Sequence, residues 1–313
     1  MLTRTRTALA DTATLAPARR ISGAAPPVAR QQRQRRQQRG HRLAHAAAAL
    51  LRRPGCTLAL VFVAVCLCGA FAPGLFAGFD PNATAPADKL QPPNPVHWFG
   101  TDDLGRDLFA RVVHGSTLSL RAGCLAVGIA LGAGLGLGVL SGFAGGRVDA
   151  LVMRGIDVLL ALPGFLLALV VVTAIGFGTV PVAIAVGIGL VPGFARTTRA
   201  EVLRVKTLPY VEAARLGGAR WGRIVLTHVL PNAWGPVAVL ATLDFGSAVL
   251  ATAGLGFLGF GAAPPAAEWG SLMASGRRFL VTAPWLSLLP GLVAMLLVFS
   301  LNHIARTLEE TRR

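Results

Sequence analysis

Long apolar segments dominate the chain from residue 57 onward, and short polar connections separate them. These segments are near 20 residues or longer, which is the length an α-helix needs to cross the hydrocarbon core of a membrane. We therefore predict an all-α membrane protein with six transmembrane helices. The predicted spans are Thr57–Phe76, Thr117–Leu140, Val148–Ile175, a fourth that begins near Val180, Trp234–Leu258 and Val281–Ile304.

Small and helix-breaking residues modify two of these spans. The second span carries glycines at small-xxx-small spacing, which predicts close approach of a neighbouring helix rather than a pore lining. The dipeptide Pro192-Gly193 predicts an interruption of the fourth span. Between the last two spans, a short helix is predicted over Glu268–Arg278.

A polar, basic segment at 209–232 separates the fourth and fifth spans. Pro209 suits the first turn of a helix, and Gly217-Gly218 supplies turn geometry that other residues resist. A second amphipathic helix is predicted over Ala219–Leu230, and Pro231 is predicted to stop it. The pattern predicts a helix–turn–helix close to the membrane surface.

The first of these two helices has the composition of a docking element. Ala213 and Ala214 leave a shallow face, Glu212 supplies an acidic rim, and Arg215 supplies the opposite charge. Such a helix can fit into a groove on a partner protein. It can equally rest on anionic lipid headgroups, and composition alone leaves both interpretations open.

Charge is sparse and uneven along the chain. Charged residues make up 14% of the sequence, yet the net charge is +16. Residues 1–53 hold twelve arginines and one aspartate, residues 194–231 carry a net charge of +5, and residues 78–116 carry −2. Because positive residues accumulate on the cytoplasmic side of a membrane, we predict that both termini are cytoplasmic.

This orientation defines the predicted organisation. Residues 1–53 form a disordered basic cytoplasmic tail, and 54–313 form the transmembrane domain with a cytoplasmic loop at about 203–232. The loops at about 78–116 and 259–280 then lie outside. A ribosome- or RNA-associated protein that binds through the basic tail is an alternative class, but we predict a bilayer partner and no nucleic acid.

The sequence offers little to catalysis. The two lysines, Lys89 and Lys206, follow no glycine, so there is no phosphate-binding loop of the G-x-x-x-x-G-K-[ST] kind. The four cysteines lie in or beside apolar segments and lack a second ligand pair, which argues against a metal site. We predict that the chain is not an enzyme and that it binds no cofactor and no metal.

Several titratable residues allow either a structural or a functional interpretation. Asp244 lies in the middle of the fifth span, where a carboxylate is costly, so it either lines a transport pathway or bonds to Ser or Thr of a neighbouring helix. Arg154 and Asp157 have the spacing of a pair on one helix face. The acidic cluster around Asp102 has basic neighbours that favour local ion pairing over a cation site.

Three ordered sequence blocks resemble one family of membrane proteins. Glu212-Ala-Ala, Gly218 and Leu230-Pro231 resemble the EAA loop of bacterial ABC-importer permeases, although His228 stands where that motif has isoleucine. The Thr227–Asn232 form is similar to the peptide and nickel branch. Phe99–Arg111 and Pro264–Met273 resemble blocks of the C-type permeases of dipeptide, oligopeptide and nickel importers.

The resemblance implies a type I importer permease fold in a bacterial inner membrane. It also implies a sister permease, two ATPase subunits that bind ATP, and an external substrate-binding protein. By position in the motif, the residues that couple to the ATPases are Glu212, Ala213, Ala214, Arg215, Gly218 and Pro231.

Such a subunit translocates di- or oligopeptides by alternating access driven by its partner ATPases. Import of nickel or a metal chelate by the same branch is an alternative. A self-sufficient secondary transporter would have inverted repeats and charged relays in its spans, and neither pattern is evident in the sequence.

Overall fold

The computed structural model describes residues 54–312, and these residues form helices joined by loops. Five of the helices are long and apolar enough to cross a membrane, and a bent helix pair supplies a sixth crossing if it counts as one span. The predicted tail at 1–53 lies outside the described residues. In chain order the α-helices are α1 (Pro54–Phe71), α2 (Leu108–Ala144), α3 (Gly146–Leu160), α4 (Gly164–Ile175), α5 (Thr179–Lys206), α6 (Pro209–Leu216), α7 (Trp221–Phe257), α8 (Trp269–Gly276) and α9 (Trp285–Arg312).

The third predicted span is broken into two helices. Helices α3 and α4 meet at 90°, so the span predicted over Val148–Ile175 is a bent pair of helices. Pro163 explains the break, because proline disfavours helical geometry in the residue before it and cannot donate a backbone hydrogen bond. The two halves also differ in character, since α3 has a charged face and α4 is apolar throughout.

The fourth span is continuous, so the predicted interruption at Pro192-Gly193 was wrong. Helix α5 runs through Pro192, which is buried together with Phe194 against neighbouring helices. Membrane helices tolerate proline in such a place because packing and local adjustment compensate for the missing backbone bond.

Pro231 also lies inside a helix, contrary to the prediction that it stops one. A π-helical turn over Val225–Val229 joins the amphipathic segment to the span without a break. The backbone N–H of Leu230 donates to the carbonyl of Val225, five residues earlier, directly before the proline. The wider turn accommodates the extra residue, and the side chain of Asn232 donates to the carbonyl of His228 at 2.6 Å.

Helices α2 and α5 pack against each other more extensively than any other two helices of the described structure. Gly134, Gly138 and Gly142 all face α5, and a Cβ added at Gly138 would lie 2.6 Å from the carbonyl oxygen of Ala195. The glycines therefore let two backbones approach closely, which confirms the predicted packing role.

Helix α8 closes one end of the helix bundle. It agrees with the predicted short helix Glu268–Arg278, and its first residue, Trp269, is completely buried. The indole Nε1 of Trp269 donates to the carbonyl of Val112 at 2.9 Å, and its backbone N–H donates to Ser119 Oγ at 3.1 Å. The loop before α8 is thereby fixed to α2.

With the bent pair counted as one crossing, successive helices alternate in direction. The start of α1, the end of α9 and the segment between α5 and α7 then lie on one side of the bundle. The loop at 72–107 and helix α8 lie on the other side. The block at 212–231 therefore lies at the opposite end of the molecule from the blocks at 99–111 and 264–273.

Candidate coupling surface

The segment between α5 and α7 forms a helical hairpin, residues 207–224, that begins where α5 is fastened to α2. Lys206 Nζ donates to the carbonyl of Phe143 at 3.1 Å and lies 5.6 Å from the centre of its ring. Two spanning helices therefore meet at the base of the hairpin.

Helix α6 rests on this base through a single buried side chain. Pro209 occupies the first turn, as predicted, and Val211 is the one fully buried residue of the helix. Around it lies an apolar cluster contributed by α5, α6 and the amphipathic start of α7. The buried members of this cluster are Val202, Val205, Val211, Ile224 and Val229.

The turn after α6 depends on glycine at one position. Gly218 has a φ of +77°, in the left-handed region that other residues rarely adopt. A Cβ there would meet open space, so the backbone angle rather than crowding calls for glycine. The N–H of Ala219 then donates to the carbonyl of Ala214 at 3.0 Å and closes the turn.

Aromatic contacts join both arms of the hairpin to the bundle. The Trp221 ring meets the edge of Phe143 at 5.0 Å between centroids, and Tyr210 lies 5.6 Å from His228. Asn232 Nδ2 donates to the Tyr210 hydroxyl at 3.1 Å. The hairpin therefore contacts α2 through Trp221 and α7 through Tyr210.

The predicted coupling residues are all at least partly exposed at the surface of the protein. Glu212, Ala213, Arg215, Gly218 and Pro231 are exposed, and Ala214 is partly exposed. Within residues 54–312 neither charged member of this set forms an ion pair.

The surface therefore combines small side chains with unpaired charges of both signs, which suits a helix that enters a groove on another protein. Leu216, at the end of α6, is 85% exposed and adds an apolar contact. Lipid headgroups remain the alternative partner of this surface.

Asp244 lies apart from the coupling surface. It is on α7 about four turns beyond Pro231, roughly 20 Å along the axis at 1.5 Å per residue. It is partly exposed, and no hydrogen bond or ion pair joins it to another described residue. The structure shows no Ser or Thr partner, so the pathway interpretation remains a prediction.

Other predicted pairings turned out differently. Asp157 pairs with Arg196 of α5 at 2.6 Å instead of with Arg154. Asp149, one helical turn into α3, accepts hydrogen bonds from Nε and Nη2 of Arg199 at 2.6 and 2.5 Å. Sequence spacing identified neighbours on one helix, but the bend between α3 and α4 brings α3 alongside α5, where these arginines lie.

The acidic cluster of the 72–107 loop forms ion pairs, as predicted. Asp102 Oδ2 lies 2.7 Å from Arg106 Nε and 3.8 Å from Arg111 Nε. Asp107 caps α2 by accepting from the N–H of Ala110 at 2.6 Å, and its other oxygen lies 2.8 Å from His97 Nδ1. Within the described residues no group of three or more His, Cys, Asp or Glu is arranged to hold a metal ion.

Glu268 is a buried polar residue that the sequence reasoning missed. It is 1% exposed, and its Oε2 accepts from the backbone N–H of Ala262 at 2.8 Å and from Thr179 Oγ1 at 3.5 Å. Burial raises the pKa of this carboxyl, and the two hydrogen bonds partly oppose that rise. In the sequence, the feature that could have indicated this buried carboxyl was a glutamate directly before Trp-Gly in a loop.

Comparison with known proteins places these features in a family. Residues 134–313 match the family described as binding-protein-dependent transport system inner membrane component. The dipeptide transport system permease protein DppC of Alkalihalophilus pseudofirmus is 41% identical over 251 residues, which cover 80% of this chain and 82% of that protein. The di/tripeptide transport system permease protein DppC of Pseudomonas aeruginosa is 42% identical over 249 residues, which cover 78% of this chain and 82% of that protein.

Solved structures agree on the fold. An inward-facing form of the MetNI methionine ABC transporter matches with a TM-score of 0.54 at 18% identity, over 66% of this chain and 98% of that chain. A second inward-facing form of the same transporter matches with a TM-score of 0.51 at 20% identity, over 63% of this chain and 96% of that chain. At these identities the likeness concerns the fold alone, which is that of an ABC-importer permease.

The extent of the family match, together with relatives above 40% identity over most of their length, settles the class of the protein. The chain belongs to the binding-protein-dependent transport family, as a multi-pass inner-membrane permease subunit similar to DppC, and is not itself an enzyme.

Proposed function

We propose that this chain imports di- or oligopeptides as one half of a permease heterodimer driven by separate ATPases. The observation that carries the proposal is the exposed Glu212-Ala-Ala surface on a hairpin tied to α2, α5 and α7. A rigid hairpin of this kind can pass movement of a partner subunit to the spanning helices.

The direction of the chain in the membrane is part of the proposal. The side that carries the hairpin is basic, whereas residues 78–116 on the opposite side carry a net charge of −2. Under the positive-inside rule the hairpin and both ends of the domain 54–313 face the cytoplasm. An external binding protein then approaches the side of the 72–107 loop and α8.

The coupling residues have distinct parts in this scheme. Glu212, Ala213, Ala214 and Arg215 contact the ATPase, while Gly218 sets the turn that presents α6. Pro231 follows the π-helical turn, where the hairpin becomes a spanning helix. Closure of the ATPases around ATP would move α6 and shift the helices between inward- and outward-open arrangements.

The substrate class rests on the relatives. The proteins named DppC and the probable D,D-dipeptide permease DdpC of Escherichia coli, 41% identical, are described as dipeptide permeases. Asp244 is the pathway residue we propose, since a partly exposed carboxylate within a span can meet the ammonium group of a peptide.

Uptake of a radiolabelled dipeptide tests this function. The chain is co-expressed with its neighbouring transport genes in cells that lack their own peptide importers. We expect ATP-dependent uptake that unlabelled dipeptide abolishes and that Ni²⁺ leaves unchanged. Uptake of ⁶³Ni²⁺ in place of the dipeptide would reassign the substrate, and transport by the purified chain without ATPases would contradict the proposal.

A further inference from the structure

A groove of about 610 Å³ runs between the start of α1 and the end of α9, and no residue of the hairpin lines it. Its volume lies in the range of sites that bind small molecules. Its walls are apolar and its end is polar, so it matches an amphiphilic ligand. The apolar lining comes from Leu58, Ala59, Phe62, Leu296 and Phe299, and the polar end from Asn302, His303 and Arg306.

Small residues on α1 create the space. Ala59 and Cys56 pack against Ile304, so the two helices touch through short side chains. At Gly55 an added Cβ would lie 3.2 Å from His303 Nε2, which places the imidazole against the α1 backbone. His303 thus stands at the mouth of the groove with Arg306 one turn further along α9.

The sequence segments that contain the polar end of the groove carry a net positive charge. Arg306 is exposed at the groove itself. The charged residues of 50–56 and 300–313 are Arg52, Arg53, Arg306, Arg312 and Arg313 against Glu309 and Glu310, a net charge of +3. A zwitterionic headgroup gains little from such an end, whereas an anionic one is attracted to it.

We propose that this groove binds one anionic phospholipid of the surrounding leaflet. An acyl chain lies along Phe62, Leu296 and Phe299, and the phosphate accepts hydrogen bonds from Arg306 and His303. The chemistry matches at both ends, because the groove is apolar where the hydrocarbon lies and basic where the headgroup lies. The assignment depends on the charge of the groove and not on the identity of the transported solute.

Native mass spectrometry of the full chain, purified alone and with its co-purifying partner subunits, tests the proposal. Phosphatidylglycerol or phosphatidylethanolamine of equal chain length is added to each sample. We expect one retained phosphatidylglycerol that Arg306→Gln weakens about fivefold, the factor that one basic residue contributes near an anionic headgroup. Binding of phosphatidylethanolamine stays unchanged.

Arg147→Gln is the matched control, since it removes one exposed positive charge on the same side of the bundle and outside the groove. Ser300→Phe places a bulky ring in the groove, and we expect this variant to lose the bound phosphatidylglycerol as well. Three outcomes overturn the proposal. They are equal loss in Arg147→Gln and Arg306→Gln, equal loss of both lipids, and absence of the lipid from the complex because a partner subunit covers the groove.

Discussion

At the scale of single residues, Glu268 carries the most deeply buried carboxyl among the described residues outside the spans, at 1% exposed. The pKa of this group is raised by burial, so the folded protein favours its protonated form. The folded state then binds more protons than the unfolded state, and stability falls as pH rises above the ordinary pKa of 4.5.

Glu268→Gln removes this pH dependence while its amide oxygen can still accept from the N–H of Ala262. Thermal unfolding in detergent at pH 5 and pH 8 measures the effect. We expect a wild-type Tm that falls toward pH 8 and a Gln variant whose Tm lacks that fall. Glu268→Ala leaves the Ala262 N–H without its acceptor, which costs about 1–3 kcal/mol at both pH values. An identical pH profile in wild type and Gln variant would refute this account of Glu268.

Residue types in the sequence indicated some of these contacts and concealed others. Asp102 and Arg106 lie four residues apart, so local spacing was enough to predict their ion pair. Glu268 and Thr179 are 89 positions apart, and their meeting depends on how α5 and α8 are arranged. The same reason hid the pairing of Asp149 with Arg199.

At the scale of elements, the glycine face of α2 sets how closely α5 can approach. Gly138 faces α5, whereas a Cβ at Gly136 meets nothing within 4 Å. Gly138→Val forces apart two backbones and should destabilise by about 1–3 kcal/mol, as overpacking typically does. Gly136→Val is the matched control on the same helix. A lower Tm in detergent for the first variant alone is expected, and equal values would contradict the packing described here.

Helix α3 is held against α5 by two ion pairs of different burial. The side chains of Asp149 and Arg199 are 20% and 32% exposed, whereas those of Asp157 and Arg196 exceed 50%. Since solvent screens exposed pairs, Asp149→Asn should lower the Tm measurably and Asp157→Asn should have little effect. The reverse order would show that the bend between α3 and α4 is held by other contacts.

Helix positions were predictable from apolar runs, but helix breaks were not. Pro163, Pro192 and Pro231 give the same local signal, yet the helix breaks at the first alone. Tertiary packing buries Pro192, and a π-helical turn precedes Pro231. A single sequence does not reveal which neighbour will compensate for a missing backbone hydrogen bond.

At the scale of the whole molecule, the hairpin and the 72–107 loop lie at opposite ends of the helix bundle. The motifs in the sequence predicted both regions, because each is a short continuous block. The shape of the coupling surface required the structure, since Val211 meets Val202 and Ile224 from other helices.

Loss of coupling should stop transport without unfolding the chain. Glu212→Arg combined with Ala213→Trp reverses the charge and fills the shallow face of α6, while both positions are exposed. We expect dipeptide uptake and co-purification of the ATPases to fall at least tenfold, with unchanged insertion and Tm. The control is Arg147→Gln, exposed on the same side but outside the hairpin. Normal uptake by the double variant would remove α6 from the mechanism.

Cysteine cross-linking in inverted membrane vesicles is the most direct test of our proposal that the hairpin contacts a cytoplasmic ATPase subunit. Ala213→Cys is introduced after replacement of the four native cysteines, and Val281→Cys, 97% exposed at the opposite end, serves as the control. The account predicts that Ala213→Cys cross-links to an ATPase with a yield that ATP changes, and that Val281→Cys does not. A cross-link from Val281→Cys would contradict it. Labelling of Ala213→Cys solely from the periplasmic face of the membrane would also contradict it.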